Sequence, residues 1–171
     1  MSEDEGQELL DSYFTLYPET RKFLDRCKKD VERKHYVKKL FNRCRRFSKH
    51  IEGESLAKAQ REACNAPIQG TVADSINNAI FNLMEYKEAH PELPFTLNMQ
   101  IHDALVLECR AQDVKSLKNV IHQCMVENNP VVVNGEAHYY GLDSEVYCHW
   151  GEELTDDICQ REYGLSLAEV I

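Results

Sequence analysis

The longest element that the sequence offers is a helical run from about residue 56 to residue 87, and Pro67 stands inside it. A proline there removes one backbone hydrogen bond and crowds the preceding turn, so the run is expected to bend at that point. Every other element has to be arranged around this one. Beyond the bend, Val72, Ile76, Ala79, Ile80 and Leu83 recur at helical intervals, which marks a buried stripe. Before and at the bend the repeat is polar: Arg61, Asn65 and Gln69 fall four apart and share one stripe of long hydrogen-bonding side chains. Such a row can follow a DNA minor groove, where purine N3 and pyrimidine O2 are acceptors at every base pair. It is also, and more commonly, the solvated face that any amphipathic helix carries.

Residues 4–16 and 18–34 read as helices, and Pro18 suits a first helical turn because its missing N–H has no partner there anyway. Short strands are expected at 36–40 and 46–48 about a turn at 42–45, whose arginines, Arg43 and Arg45, project from the hairpin tip. Gly53 breaks the chain before Ser55, a candidate cap for the long run. Residues 95–100 read as a strand, His102 and Asp103 as its turn, and 104–109 as the returning strand with Leu105 and Leu107 on one face. An Asp at such a turn can bind Mg²⁺ through oxygen, but hard cations in phosphoryl chemistry use several oxygens, so one carboxylate is not a site. Taken alone, Asp103 is more often a turn residue.

Residues 112–127 form an amphipathic pattern with Val114, Leu117, Val120, Ile121 and Met125 inward. Further strands are expected at 131–133 and 145–148, with Trp150 anchoring the edge of the core and 154–171 a short helical tail. The expected fold is α+β: a small antiparallel sheet with helices on one face, its hairpin at His102 and Asp103 meeting the bent helix at Gln69.

The 171 residues are 43% apolar, enough for a real core. Net charge is −9, which taken as a sum argues against a nucleic-acid partner. The distribution reverses that reading. Residues 20–62 hold 15 of the 20 Lys and Arg against six acids, leaving +9, while the other residues hold five against 23, leaving −18. A basic block on an acidic body is what one face that meets phosphates would show, with a solvated helix and hairpin as the alternative. Seven cysteines lie without a CxxC pair or short Cys/His spacing, so neither a zinc site nor a disulfide framework is specified and reduced thiols are expected. No run of 18 apolar residues exists and MSEDEGQELL is no basic leader, so the expectation is a cytoplasmic chain without a membrane partner.

The order YFTLYPETRKFLDR, YVKKLFNRCRR, REACNAPIQGTVAD, QIHDALVLE and a strand ending in HWGEEL closely resembles the carboxyl-terminal portion of family A DNA polymerases, the bacterial DNA polymerase I type. The resemblance covers about residues 9–154, and NAPIQGTVAD with QIHDALVLE is specific as a pair. It implies a helical segment at 1–34 like the end of the fingers, a palm-like α+β domain at 35–154 and a helical tail at 155–171. Arg61, Asn65 and Gln69 match the family's minor-groove and primer-template contacts, His102 matches the histidine near the primer terminus, and Asp103 matches a metal-binding aspartate. Arg43, Arg45 and Arg46 sit where the family carries an arginine-rich hairpin, with one extra residue here that leaves their individual roles open. The implied chemistry is nucleotidyl transfer from deoxynucleoside triphosphates to a primer on template DNA, with His102 and Asp103 at the reacting end and two Mg²⁺ ions.

Two departures qualify what the resemblance implies. Ala104 stands where the family usually has Glu after the catalytic aspartate. The sequence also begins after the family's other metal-binding aspartate and its nucleotide-binding fingers helix, so the two-metal site is only partly supplied. The expectation is a phage-like split polymerase: a fragment or subunit inactive alone, completed by a complementary chain, and located in the host cytoplasm if phage-encoded. The alternative is a non-catalytic, polymerase-derived module that binds DNA or docks on a replication protein.

Overall fold

In the computed structural model, which describes residues 2–171, the chain opens on α1 (Glu3–Leu16), whose start is capped reciprocally. The Glu5 backbone N–H donates to Ser2 Oγ at 3.2 Å and the Ser2 N–H to Glu5 Oε2 at 2.6 Å, so two amides that lack helical partners are satisfied. Helix α2 (Pro18–Lys34) has its proline in the first turn and Arg33 and Lys34 in the last, where positive charge complements the helix dipole. It stops at His35, which takes a left-handed φ of 59°. The chain then forms a hairpin of β1 (Tyr36–Lys38) and β2 (Cys44–Arg46), with Val37 opposite Arg45. The second strand thus lies two residues earlier than expected, and the tip is 39–43. Arg43 belongs to that tip, whereas Arg45 and Arg46 are strand residues.

Helix α3 (Gly53–Ala89) begins at Gly53, φ 53°, so Ser55 lies inside the helix rather than capping it. It continues without a break through Pro67, whose missing N–H leaves one intrahelical bond unmade. The Thr71 hydroxyl, four residues on, donates to the Pro67 carbonyl at 2.6 Å. A helix this long serves two cores. The chain divides into two compact units, Met1–Val72 and Ala73–Ile171, and the division falls within α3.

In the first unit Cys27 and Val31 of α2, Val37 of β1 and the small Ala59 and Ala63 of α3 form the core, margined by Phe23, Phe47, Ile51 and Leu56. Alanines on the inner face let the two helices approach closely. Helix α1 contributes no buried residue.

The second unit is built on β3 (Phe95–Ile101), β4 (Ala104–Cys109) and α4 (Val114–His122), the last entered by a 3₁₀ turn and left by a π-helical turn at Gln123–Glu127. Leu83 of α3, Phe95, Leu117, Val120 and Cys124 are buried together, with Leu105 and Leu107 against them as their alternation predicts. Two asparagines tie α3 to the π-helical turn. Asn82 donates to the carbonyls of Cys124 and Asn128 at 3.1 and 3.2 Å. Buried Asn129 donates to the Ser75 carbonyl at 2.9 Å and to the Met125 carbonyl at 3.2 Å. The bonds to Cys124, Met125 and Asn128 satisfy carbonyls that a helix end leaves open, while the one to Ser75 anchors the turn to the middle of α3.

The α+β class is as expected, but among the described residues the strands form four two-stranded antiparallel hairpins instead of one sheet. Two of them contain strands that were not foreseen. Strands β5 (Val131–Val133) and β6 (Glu136–His138) flank Asn134 and Gly135, with φ of 52° and 87°; an Asn-Gly pair supplies the two positive φ angles that a type I′ turn requires. Strands β7 (Tyr147–His149) and β8 (Glu152–Glu153) flank Trp150 and Gly151. Trp150 therefore sits on a turn and is 72% exposed, so it does not anchor the core.

Residues 154–171 are not one helical tail. Two short helices, α5 (Asp156–Ile158) and α6 (Leu167–Val170), with a π-helical turn at Cys159–Tyr163 between them, bury Leu154, Ile158, Cys159 and Val170, and Val114 packs against that cluster. Among the described residues no helix is long and apolar enough to cross a membrane.

Candidate nucleic-acid and metal site

The first unit holds the polar row. Because Ala59, Ala63 and Gly70 are buried, the turns of α3 between them present Arg61, Asn65 and Gln69 to solvent, and all three are exposed. No side-chain hydrogen bond or ion pair engages any of the three among the described residues, so their donors are available. Gly70 matters for a different reason: a Cβ there would overlap the end of the Lys39 side chain, which passes over this part of the helix. The hairpin arginines are used unequally. Arg45 Nη2 pairs with Glu62 Oε2 at 3.0 Å and its guanidinium lies 5.9 Å from the Phe47 ring centre, which fastens β2 to α3. Exposed pairs of this kind stabilise by less than about 1 kcal/mol, so the charge remains recruitable by a phosphate. Arg43 and Arg46 are exposed.

The second unit holds the turn. Ile101 pairs with Ala104, which makes His102 and Asp103 the two residues of a tight turn, both exposed. His102 has φ 55° while Asp103 is not left-handed. That pattern places a histidine where glycine is usual in such turns, and a non-glycine residue held there costs about 1–3 kcal/mol. The Gln100 amide braces the turn by donating to the His102 carbonyl at 3.0 Å. Farther down, the register slips between Leu97 and Met99, so Asn98 is an extra residue on β3, and its amide donates to Glu108 Oε2 at 3.2 Å. Such bulges sharpen the strand twist and re-aim the residues beyond them. The base of the hairpin is fixed by Phe95, Leu105, Leu107 and Cys109 in the core.

Asp103 offers two hard oxygens with a solvent-open approach, which fits Mg²⁺, and Ala104 beside it offers none. One carboxylate by itself does not make the several-oxygen environment that Mg²⁺ in phosphoryl chemistry uses. His102 and Asp103 are adjacent in the second unit, and the other six candidate residues belong to the first.

One cluster escaped the sequence expectations. Cys148, His149 and Glu152 converge on the β7–β8 hairpin, contrary to the view that no short Cys/His spacing exists. The adjacent Cys-His pair followed by Glu three residues later was the available signal. All seven cysteines are free. Burial pushes the thiols of Cys27, Cys64, Cys109, Cys124 and Cys159 above their ordinary range, which keeps them protonated and unreactive.

Residues 1–140 match the profile of DNA polymerase family A. The sequence is 30% identical over 124 residues to DNA polymerase I of Geobacillus stearothermophilus, covering 71% of this chain and 14% of that protein. It is 28% identical over 127 residues to DNA polymerase I B, chloroplastic/mitochondrial, of Arabidopsis thaliana, covering 74% and 12%. The thermostable DNA polymerase I of Thermus aquaticus is 29% identical over 133 residues, covering 76% and 16%. These 171 residues therefore span about an eighth to a sixth of the relatives they match. Among solved structures, the POL domain of Pol1 from M. smegmatis, in complex with DNA primer-template and dNTP, superposes with a TM-score of 0.69 over 81% of this chain and 25% of that one, at 24% identity, which supports the fold. With the family profile covering most of the sequence, the chain belongs to DNA polymerase family A.

Proposed function

We propose that this chain supplies the primer-template contacts and one metal-binding carboxylate of a DNA-directed DNA polymerase, and that a separate chain completes the catalytic site. The observation that carries this reading is the β3–β4 turn, which holds His102 and Asp103 exposed and adjacent on a base fixed in the core. Arg61, Asn65 and Gln69 present unengaged donors that follow minor-groove acceptors regardless of sequence. Arg43, Arg45 and Arg46 neutralise backbone phosphate near the primer. Asp103 holds Mg²⁺ through oxygen, and His102 orients the primer end beside it. When bound, Mg²⁺ supplies charge stabilisation for the attacking and leaving oxygens of an in-line displacement.

A single carboxylate at the tip calls for further acidic ligands and for a nucleotide-binding helix from polypeptide outside these residues. An uncovered apolar face favours the same view. Leu9, Tyr13 and Leu16 lie at helical spacing on α1, with Leu10 and Tyr17 beside them, and all are exposed, Leu16 at 75%. Such a stripe suits burial against a partner, here the complementary chain carrying the other metal-binding aspartate and the fingers helix.

Primer extension by the purified chain, alone and mixed with a chain bearing those elements, tests the proposal. No extension is expected alone, with extension on mixing. Extension by the isolated chain, or none in the mixture despite a stable complex, would sink it. The second reading, a non-catalytic DNA-binding or docking module, draws on Ala104, which leaves Asp103 without its usual acidic neighbour; it is favoured if DNA binding persists and no complementary chain confers extension.

A further inference from the structure

We propose that the β7–β8 hairpin is a binding site for a zinc-class divalent cation, held by the Cys148 thiolate, one imidazole nitrogen of His149 and the Glu152 carboxylate. These groups belong to no part of the polymerase site and lie outside residues 1–140, so the inference stands apart from the proposed function.

The three donor groups already lie within reach of one another, His149 facing Cys148 with Nδ1 and Glu152 with Nε2. Cys148 Sγ lies 3.1 Å from His149 Nδ1 and 3.4 Å from Glu152 Oε2, and His149 Nε2 lies 3.0 Å from Glu152 Oε2. Zinc bonds to sulfur at about 2.3 Å and to nitrogen and oxygen at about 2.0–2.2 Å. At tetrahedral angles those lengths place the donors roughly 3.3–3.6 Å apart. Opening the triangle by a few tenths of an ångström, with a turn of the exposed imidazole toward the centre, admits the ion.

Adjacent strand residues ordinarily face opposite ways, but the register slip between Tyr147 and His149 lets Cys148 and His149 converge. Gly151, φ 89°, makes the tight turn that returns Glu152 to them. All three ligands come from five consecutive residues, so little chain entropy is lost in assembling them.

The donor set selects the metal. A thiolate beside an imidazole and a carboxylate suits Zn²⁺ and its borderline neighbours and does not suit Mg²⁺ or Ca²⁺, which take oxygen ligands. Binding releases the thiol proton to solvent. Three protein ligands leave a fourth position open for water or an exogenous donor.

The full chain, reduced and freed of metal, is titrated with Co²⁺ and followed by absorption. A thiolate-to-cobalt charge-transfer band that saturates at one equivalent and is displaced by Zn²⁺ is expected. Cys148→Ser should abolish the band. His149→Ala and Glu152→Gln should each weaken binding roughly a hundredfold or more, since even outer-shell losses cost about 10–100-fold. Cys44→Ser should change nothing. Circular dichroism of each variant checks that it is folded. Absence of the band, its persistence in folded Cys148→Ser, or wild-type affinity in folded His149→Ala or Glu152→Gln overturns the proposal.

Discussion

The two hairpins of the second unit with proposed roles solve opposite problems with similar parts. Each is an antiparallel pair with a two-residue turn and a register slip. The β3–β4 pair is long, its base is buried, and it spends that rigidity on presenting one carboxylate and one imidazole at an exposed tip. The β7–β8 pair is only two to three residues per strand, yet it gathers three mutually adjacent donors of different chemistry on itself. A well-supported tip with a single metal donor is useful only where other groups are brought to it, whereas a short hairpin with three donors needs only the ion. On the proposed roles, one site points outward to assembly and the other closes locally.

The largest expected effect would test the outward-pointing half of that contrast. In the two-chain polymerase proposed above, Asp103→Asn should remove the carboxylate charge assigned to the metal and with it several kcal/mol of charge stabilisation, on the order of a thousandfold in primer-extension rate. The same substitution should leave thermal stability unchanged, because the side chain is exposed. Retained activity in the Asn variant would mean that the tip carries no metal role.

Next in size is the base of the same hairpin. Leu83 is fully buried beneath it, packed with Phe95 and Leu117. Leu83→Ala should destabilise the chain by about 2–5 kcal/mol, seen as a lower denaturant midpoint. Cobalt binding at the β7–β8 hairpin should persist below that midpoint, because its ligands come from one short segment. If metal binding were lost while the chain remained folded, the local character of the second site would be wrong.

Much of this was legible in the sequence because strong periodicity and proline position declare themselves. The helices at 18–34 and across Pro67, the β3–β4 pair and the inward Leu105 and Leu107 all follow from local pattern. What escaped was short or cooperative. Strand β5 is expected at 131–133 and Asn134-Gly135 signals a turn after it, but its partner β6, Glu136–His138, has too few apolar alternations to stand out. An aromatic of this size is expected to anchor the edge of the core, but the place of Trp150 in a turn overrides that preference. The convergence of Cys148, His149 and Glu152 depends on a register slip, which no periodicity encodes. The polar row at Arg61, Asn65 and Gln69 was visible as spacing, whereas its unengaged donors became visible only once the inner face was occupied by Ala59 and Ala63.

The smallest effect is the most discriminating, because it asks why the β3–β4 turn is strained when its counterpart is not. In the β7–β8 turn the left-handed position is Gly151, which adopts φ 89° without a Cβ penalty. In the β3–β4 turn it is His102 at φ 55°. Replacing His102 with glycine relieves strain of about 1–3 kcal/mol, offset by roughly 0.5–1 kcal/mol of extra backbone entropy lost on folding. The outcome expected is a gain of about 1 kcal/mol in unfolding free energy, measured by denaturant titration. Extension by the completed polymerase should fall at the same time, though less than in Asp103→Asn, because the carboxylate remains. A strained histidine that glycine improves for stability and worsens for activity is held there by function. Were His102→Gly to lower stability, the imidazole would instead be contributing to the fold, and the turn would lose its main claim to a role at the primer end.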